Sequence, residues 1–259
     1  MKAGDWLLVI IVTVSLALIF ADGAMSGAIS GWIDINLYPL ARTIGGVLGT
    51  IGPWLLPLLV LPLIAGLVGR FTGLPDPIDG LLRQLIGTAD SISTTIGDAA
   101  RWLALGLVIV TATVVIQRYV FGFASTKLQE SIIYMHALLF LLSVGSTLLA
   151  DGHVRVDILY AKLSERGKAW TDMIGTYLAL MPMALLILFV STPYINASWR
   201  ILERSRESDG LPIVFLLKTA IPVFALIVLI QGLAWAMRAA LTLAGRQAPG
   251  HIDPIDSEL

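Results

Sequence analysis

Residues 132–157 read IIYMHALLFLLSVGSTLLADGHVRVD. The stretch 132–149 carries no Asp, Glu, Lys or Arg. As a helix rising about 1.5 Å per residue, it is long enough to cross the hydrocarbon core of a bilayer. The residues that follow, 151–157, form the densest polar cluster in a chain that is 57% hydrophobic. Beyond them 173–190 is apolar again, so the cluster occupies the short turn at which the chain re-enters the membrane. A charged turn in that place is either a topology anchor or a docking site.

Composition extends this reading to the whole chain. Only 14% of the 259 residues are charged, where a soluble domain carries about a quarter, and the mean hydropathy is +0.86. The fold class expected is therefore an all-α integral membrane protein. The net charge is −1, with no basic excess to suggest nucleic acid and no acidic tail to suggest a basic partner. Cysteine is absent, which excludes disulfides, thiolate metal sites and cysteine catalysis but does not choose a compartment.

Uncharged stretches of about 18 residues give six candidate spans: 6–21, 49–68, 102–119, 131–150, 173–193 and 213–236. The first follows Met1 and Lys2 and is read as an uncleaved helix, because further spans follow it. Pro53, Pro57 and Pro62 predict an irregular second span, and Pro182 and Pro222 predict single disturbances further along. Between the second and third spans Ile78, Leu81, Leu82, Leu85, Ile86, Ala89 and Ile92 follow helical spacing, with Asp79, Arg83, Gln84 and Asp90 elsewhere. That pattern predicts an amphipathic helix, lying at the membrane interface or packed on the protein's own spans. The chain thus divides into a two-helix N-terminal extension (1–69), an amphipathic linker (70–100), a four-helix core (101–240) and a tail (241–259).

Six spans place both termini on one side. With that side cytoplasmic, Lys2, Arg70, Arg83, Arg101, Arg155, Lys162, Arg166, Lys168, Arg238 and Arg246 are inside, ten of the 17 lysines and arginines. Four of them fall in the short 151–171 turn, where the positive-inside rule is strongest. Both termini and the 151–157 cluster are expected in the cytoplasm.

No Asp, Glu, Lys or Arg falls near the middle of any span. Charges at that depth cost several kcal/mol and are kept mainly for relays, pathways and gates. Carbonyls at proline-broken helices remain a way to build a sodium site. His136, about 9 Å deeper than Glu130 on one helix, is read as a functional candidate or as the maker of an interhelical hydrogen bond beside Tyr134 and Ser131. His136, His153 and His251 are too far apart to suggest a metal site. No phosphate loop or serine nucleophile elbow occurs, so no catalytic residue, metal or cofactor is expected.

Within the polar turn, Gly152 is placed to end the preceding helix in a left-handed conformation and Asp157 to cap the next one. His153, Arg155 and Asp157 alternate with Val154, Val156 and Ile158, so an extended link would show its polar groups on one side. A second polar segment, 199–212, is expected on the opposite side of the membrane. Glu203 and Arg206, three apart, could pair along a helix that Gly210 and Pro212 bring to an end.

Residues 101–240 resemble the small membrane subunit of tripartite ATP-independent periplasmic (TRAP) transporters. The matching features are Gln117-Arg118-Tyr119-Val120-Phe121 closing one helix, Glu130 opening the next, and Gly152-His153-Val154-Arg155-Val156-Asp157 followed by Ile158-Leu159-Tyr160. Ser198-Trp199-Arg200 and Gly210-Leu211-Pro212 are similar to members with an N-terminal extension, the mannitol or chloroaromatic type. Many members carry a tryptophan shortly before the acidic residue, where this chain has Lys127-Leu128-Gln129. The resemblance implies a non-catalytic subunit of a bacterial inner membrane. It would brace a large elevator-type membrane subunit that carries the substrate and sodium sites, while a periplasmic binding protein delivers an organic acid or similar solute. Lipids would contact it, and Arg118, Glu130, Gly152, His153, Arg155, Asp157, Trp199, Arg200, Gly210 and Pro212 would be its interface or local-geometry residues. The rival expectations are an autonomous six-helix transporter or channel and, from another class, a lipid-acting enzyme using His153 and Asp157.

Overall fold

The computed structural model describes residues 2–152 and 160–250. They are helical, with no strand among them. In chain order the elements are α1 (Ala3–Ala24), α2 (Ala28–Thr72), α3 (Asp76–Val120), α4 (Thr126–Leu142), α5 (Val144–Leu149), α6 (Glu165–Gly175), a π-helical turn (Thr176–Leu180), α7 (Met181–Arg200) and α8 (Val214–Leu243). Among the described residues five helical stretches are long and apolar enough to cross a membrane: Ala3–Ala24, Asp76–Val120, Thr126–Leu149, Glu165–Arg200 and Val214–Leu243. The second expected span falls in α2, where the apolar segment Leu56–Thr72 is shorter.

Local chemistry sets the helix ends. The backbone N–H of Lys2 donates to the Asp5 carboxylate at 2.8 Å, tying the start of α1. Ser26 (φ 54°) and Gly27 (φ 83°) turn the chain after α1, and the Asp22 carboxylate accepts the Ser30 N–H at 2.9 Å in the first turn of α2. Helix α2 differs from expectation, because it runs through Pro53, Pro57 and Pro62 without interruption. Proline has a helical φ and removes only one donor each time. Near the carbonyl of Leu58, which Pro62 leaves without its usual partner, the Tyr177 hydroxyl donates to the next carbonyl, that of Leu59. Pro182 instead follows the π turn Thr176–Leu180, where the Met181 N–H reaches back to the Thr176 carbonyl, a local widening of the helix.

The chain forms two compact units, each built from three segments. The first comprises Met1–Trp54, Asp98–Leu141 and Ser191–Ile221. Here the Asp5 carboxylate receives Arg101 at 2.7 Å and the Trp102 indole N–H at 2.9 Å. These bonds hold the start of α1, whereas none of its apolar window is buried (0%).

The second unit comprises Leu55–Gly97, Leu142–Val190 and the chain from Pro222 onward. Its centre is α8, with 39% of its apolar window buried. Lipid tails are as apolar as Leu, so helices in a bilayer associate through close packing and polar bonds more than through removal from water. Small residues provide that closeness. A Cβ at Gly145 would lie 2.6 Å from Ile227 Cγ2 and 2.8 Å from Ser93 Oγ, and one at Gly97 would lie 2.6 Å from Ser146 Cβ. On α3, Leu82, Ile86, Ala89 and Ser93 are buried while Leu81 and Ile92 stay exposed. The amphipathic segment therefore buries one face against its own unit. It also continues unbroken into the third span as a single helix.

Candidate functional site

In the first unit the expected residues Glu130 and Gly210 come together. Glu130 lies in the second turn of α4, and its carboxylate reaches the loop between α7 and α8. It accepts the Leu211 N–H at 2.6 Å and the Ser205 hydroxyl. The loop is pinched at the same place by the Ser205 N–H donating to the Leu211 carbonyl at 3.1 Å. Gly210 permits this closeness, because a Cβ there would lie 2.8 Å from Glu130 Oε1 and against the Ser205 hydroxyl. Hydrogen bonds to an ionised carboxylate are about twice as strong as neutral ones. Both carboxylate oxygens are thus spent on holding a loop.

The loop begins where α7 ends, in a Schellman turn. The Glu203 N–H donates to the Ser198 carbonyl at 3.0 Å and the Leu202 N–H to the Trp199 carbonyl at 3.2 Å, with Leu202 at φ 44°. The helix expected in the 199–212 segment therefore stops at Arg200, and Glu203 and Arg206 do not pair along it. Glu203 instead accepts Lys218 at 2.5 Å and the Ser198 hydroxyl at 2.7 Å. The Lys218 hydrogen bond, followed by that from Ser198, holds the Glu203 carboxyl below the ordinary glutamate range. The Lys218 ammonium also lies 4.1 Å from the Tyr194 ring centroid, a cation–π contact. Trp199 donates its indole N–H to the Thr219 hydroxyl at 2.8 Å and meets Phe215 edge-on with centroids 4.8 Å apart.

The other expected residues are distributed differently. Arg118, in the last turn of α3, and Arg200, in the last turn of α7, are exposed, at helix ends where a cation opposes the negative pole of the dipole. Pro212 is exposed two residues before α8. Lys127 pairs with Asp209 at 2.8 Å on the surface. His136 is exposed on α4 and makes no hydrogen bond among the described residues, so the interhelical bond expected for it is not formed. The left-handed residue after α5 is Asp151 (φ 55°), not Gly152. In the Schellman pattern the residue one step earlier takes that conformation while Gly152 donates to the Thr147 carbonyl at 2.9 Å. The short polar side chain makes aspartate tolerant of it. The expectations for His153, Arg155 and Asp157 lie outside the described residues. Just beyond them the Tyr160 hydroxyl donates to Asp172 at 2.9 Å.

A polar cluster that the sequence reading missed lies in the second unit. Arg238 pairs with Asp90 at 2.5 Å, and the two side chains are only 6% and 15% exposed. Gln231 donates to the other Asp90 oxygen at 3.3 Å and accepts from the buried Ser93 hydroxyl at 2.8 Å. The charge count places Arg238 among the cytoplasmic cations, and the amphipathic pattern sets Asp90 off the apolar positions of its helix. The available signal was spacing: Asp90 and Ser93 share one helix face, and Gln231 and Arg238, seven apart, share another.

Glu130 and Asp90 thus each fasten one segment of the chain to another. The family model for tripartite ATP-independent periplasmic transporters, DctQ component, matches residues 107–242. The chain belongs to the DctQ family. It is thus the small membrane component of a TRAP transporter, a multi-pass protein of the inner membrane, and membership implies association with the large membrane subunit and the substrate-binding protein. No curated protein and no solved structure matches the chain. The DctQ match includes the Glu130 loop clasp and Arg238, whereas Asp90 precedes it.

Proposed function

We propose that this DctQ component is a non-catalytic brace for a large elevator-type subunit in a sodium-coupled transporter that takes up an organic acid or similar small solute. It belongs, on this reading, to the extended mannitol or chloroaromatic variant, with both termini cytoplasmic, 1–69 as an added membrane unit and 70–100 as the link to the core. The observation that carries the proposal is the Glu130 clasp. A carboxylate receiving a backbone N–H and a hydroxyl from one loop fixes that loop and engages both of its oxygens in structure. A fixed surface is what a moving subunit needs as its reference.

Arg118, Glu130, Gly152, His153, Arg155, Asp157, Trp199, Arg200, Gly210 and Pro212 act in this reading as interface or local-geometry residues. The test is co-expression with a tagged large subunit, extraction in mild detergent and parallel measurement of solute uptake. The two subunits should co-purify, and Arg155→Ala should lower uptake together with the co-purified fraction. Persistent uptake without this chain, or solute flux in liposomes that contain this chain alone, would overturn the proposal.

A further inference from the structure

The first unit contains a cleft of about 890 Å³ between α2 and the ends of α7 and α8. Tyr38 and Arg42 line one wall, Thr192, Asn196 and Trp199 the other, with Thr219 beside them. Tyr38 and Arg42 are four apart and so share one face of α2, and Thr192, Asn196 and Trp199 share one face of α7. Arg42 is exposed to the cleft and makes no ion pair or hydrogen bond among the described residues. Among the described lining residues there is no carboxylate, while Ala41, Ile44 and Ile195 make part of the wall apolar.

The depth of the cleft follows from the helices. Trp199 and Asn196 lie one and four residues before the end of α7 at Arg200, within about 6 Å of that end at 1.5 Å per residue. Thr219 lies in the second turn of α8. The cleft therefore opens where these two spans approach the membrane surface, the level at which tyrosine and tryptophan gather. A guanidinium there attracts an anion, and its planar fork matches the oxygens of a phosphate. A dissolved anion would leave the apolar part of the wall uncovered, whereas a phospholipid supplies both a phosphate and acyl chain. A headgroup that carries an amine would find no carboxylate to receive it among the described lining residues.

We infer that this cleft binds an anionic phospholipid, with the phosphate on Arg42, the headgroup hydroxyls toward Asn196 and Thr192, and the acyl chains along Ala41, Ile44 and Ile195. The inference requires that the chain spans the membrane but not that it braces a transporter, so lipid retention and subunit association can fail separately.

The test uses the full chain in mild detergent and native mass spectrometry, titrated with phosphatidylglycerol. Phosphatidylethanolamine and phosphatidylcholine of the same acyl composition, and inorganic phosphate, form parallel arms. Phosphatidylglycerol should be retained in preference to the other two lipids. Arg42→Gln should weaken that retention by about tenfold, the loss of a charge-assisted hydrogen bond, while Arg204→Gln, an exposed loop cation, should not. Gly46→Leu provides a second arm. A Cβ at Gly46 meets nothing within 4 Å, so the larger side chain fits, favours the helix and fills the cleft. It should expel the lipid while Arg42 remains. Equal retention of all three lipids, unchanged retention in both Arg42→Gln and Gly46→Leu, or displacement of the lipid by equimolar inorganic phosphate would overturn the inference.

Discussion

Glu203 shows how a single side chain in the loop after α7 couples to pH. Hydrogen bonds from Lys218 and Ser198 favour its ionised form, so its value in the folded protein lies below that of the unfolded chain. A depressed carboxylate contributes stability that is fully present above the unfolded value and is lost as pH falls through the lower, folded one. The turn over 201–203 should therefore keep its protection down through the ordinary glutamate range and loosen only in stronger acid. Hydrogen-exchange protection factors for that segment check this, since they divide out the intrinsic pH dependence. In Lys218→Met the acid step should move up toward the ordinary range, and the same step position in both proteins would refute the assignment. Most of this residue-scale chemistry was invisible in the sequence. Glu130 and Gly210 were singled out, but what they do depends on Ser205 and Leu211, which no spacing rule joins to them.

At the scale of the element, helix extents were legible because hydropathy and capping act over a few residues. The five membrane-length helices coincide with apolar runs, and the Schellman ends after α5 and α7 follow from local backbone geometry. The errors were equally local in origin. A glycine attracted the left-handed assignment that Asp151 takes, and a helix was drawn through Leu202, which the turn places at φ 44°. A left-handed conformation costs a residue with a Cβ roughly 1–2 kcal/mol, so Leu202 stores strain that a glycine would not. Leu202→Gly should raise stability by about 0.5–1 kcal/mol, the relief being partly offset by the greater freedom of glycine in the unfolded chain. Denaturant unfolding of the detergent-solubilised protein measures it, with a clear loss of stability as the contrary result.

For the molecule as a whole, the buried pair of Asp90 and Arg238 joins helices 148 residues apart and sits in the core of the second unit. Removing one member leaves the other charge buried and unpaired, at a cost of roughly 3–5 kcal/mol. Asp90→Ala should therefore destabilise strongly, while Asp90→Leu combined with Arg238→Met should recover most of the loss. The double-substitution cycle separates the pairing from the packing. If Asp90→Ala alone is neutral, the pair does not hold the unit together.

The sequence by itself determined an all-helical membrane chain, the apolar runs that cross the bilayer, the amphipathic segment before the third span and the resemblance that the DctQ match supports. Each is a property of neighbouring residues, since bilayer solvation, helical period and capping act over one or a few turns. Only the tertiary structure decided that Glu130 fastens the loop at Gly210, that Asp90 finds Arg238, and that Arg42 faces a cleft shared with Asn196 and Thr192. Those pairings depend on which helix faces meet in space. Hydropathy is indifferent to that choice, because an apolar face looks the same whether lipid or another helix covers it.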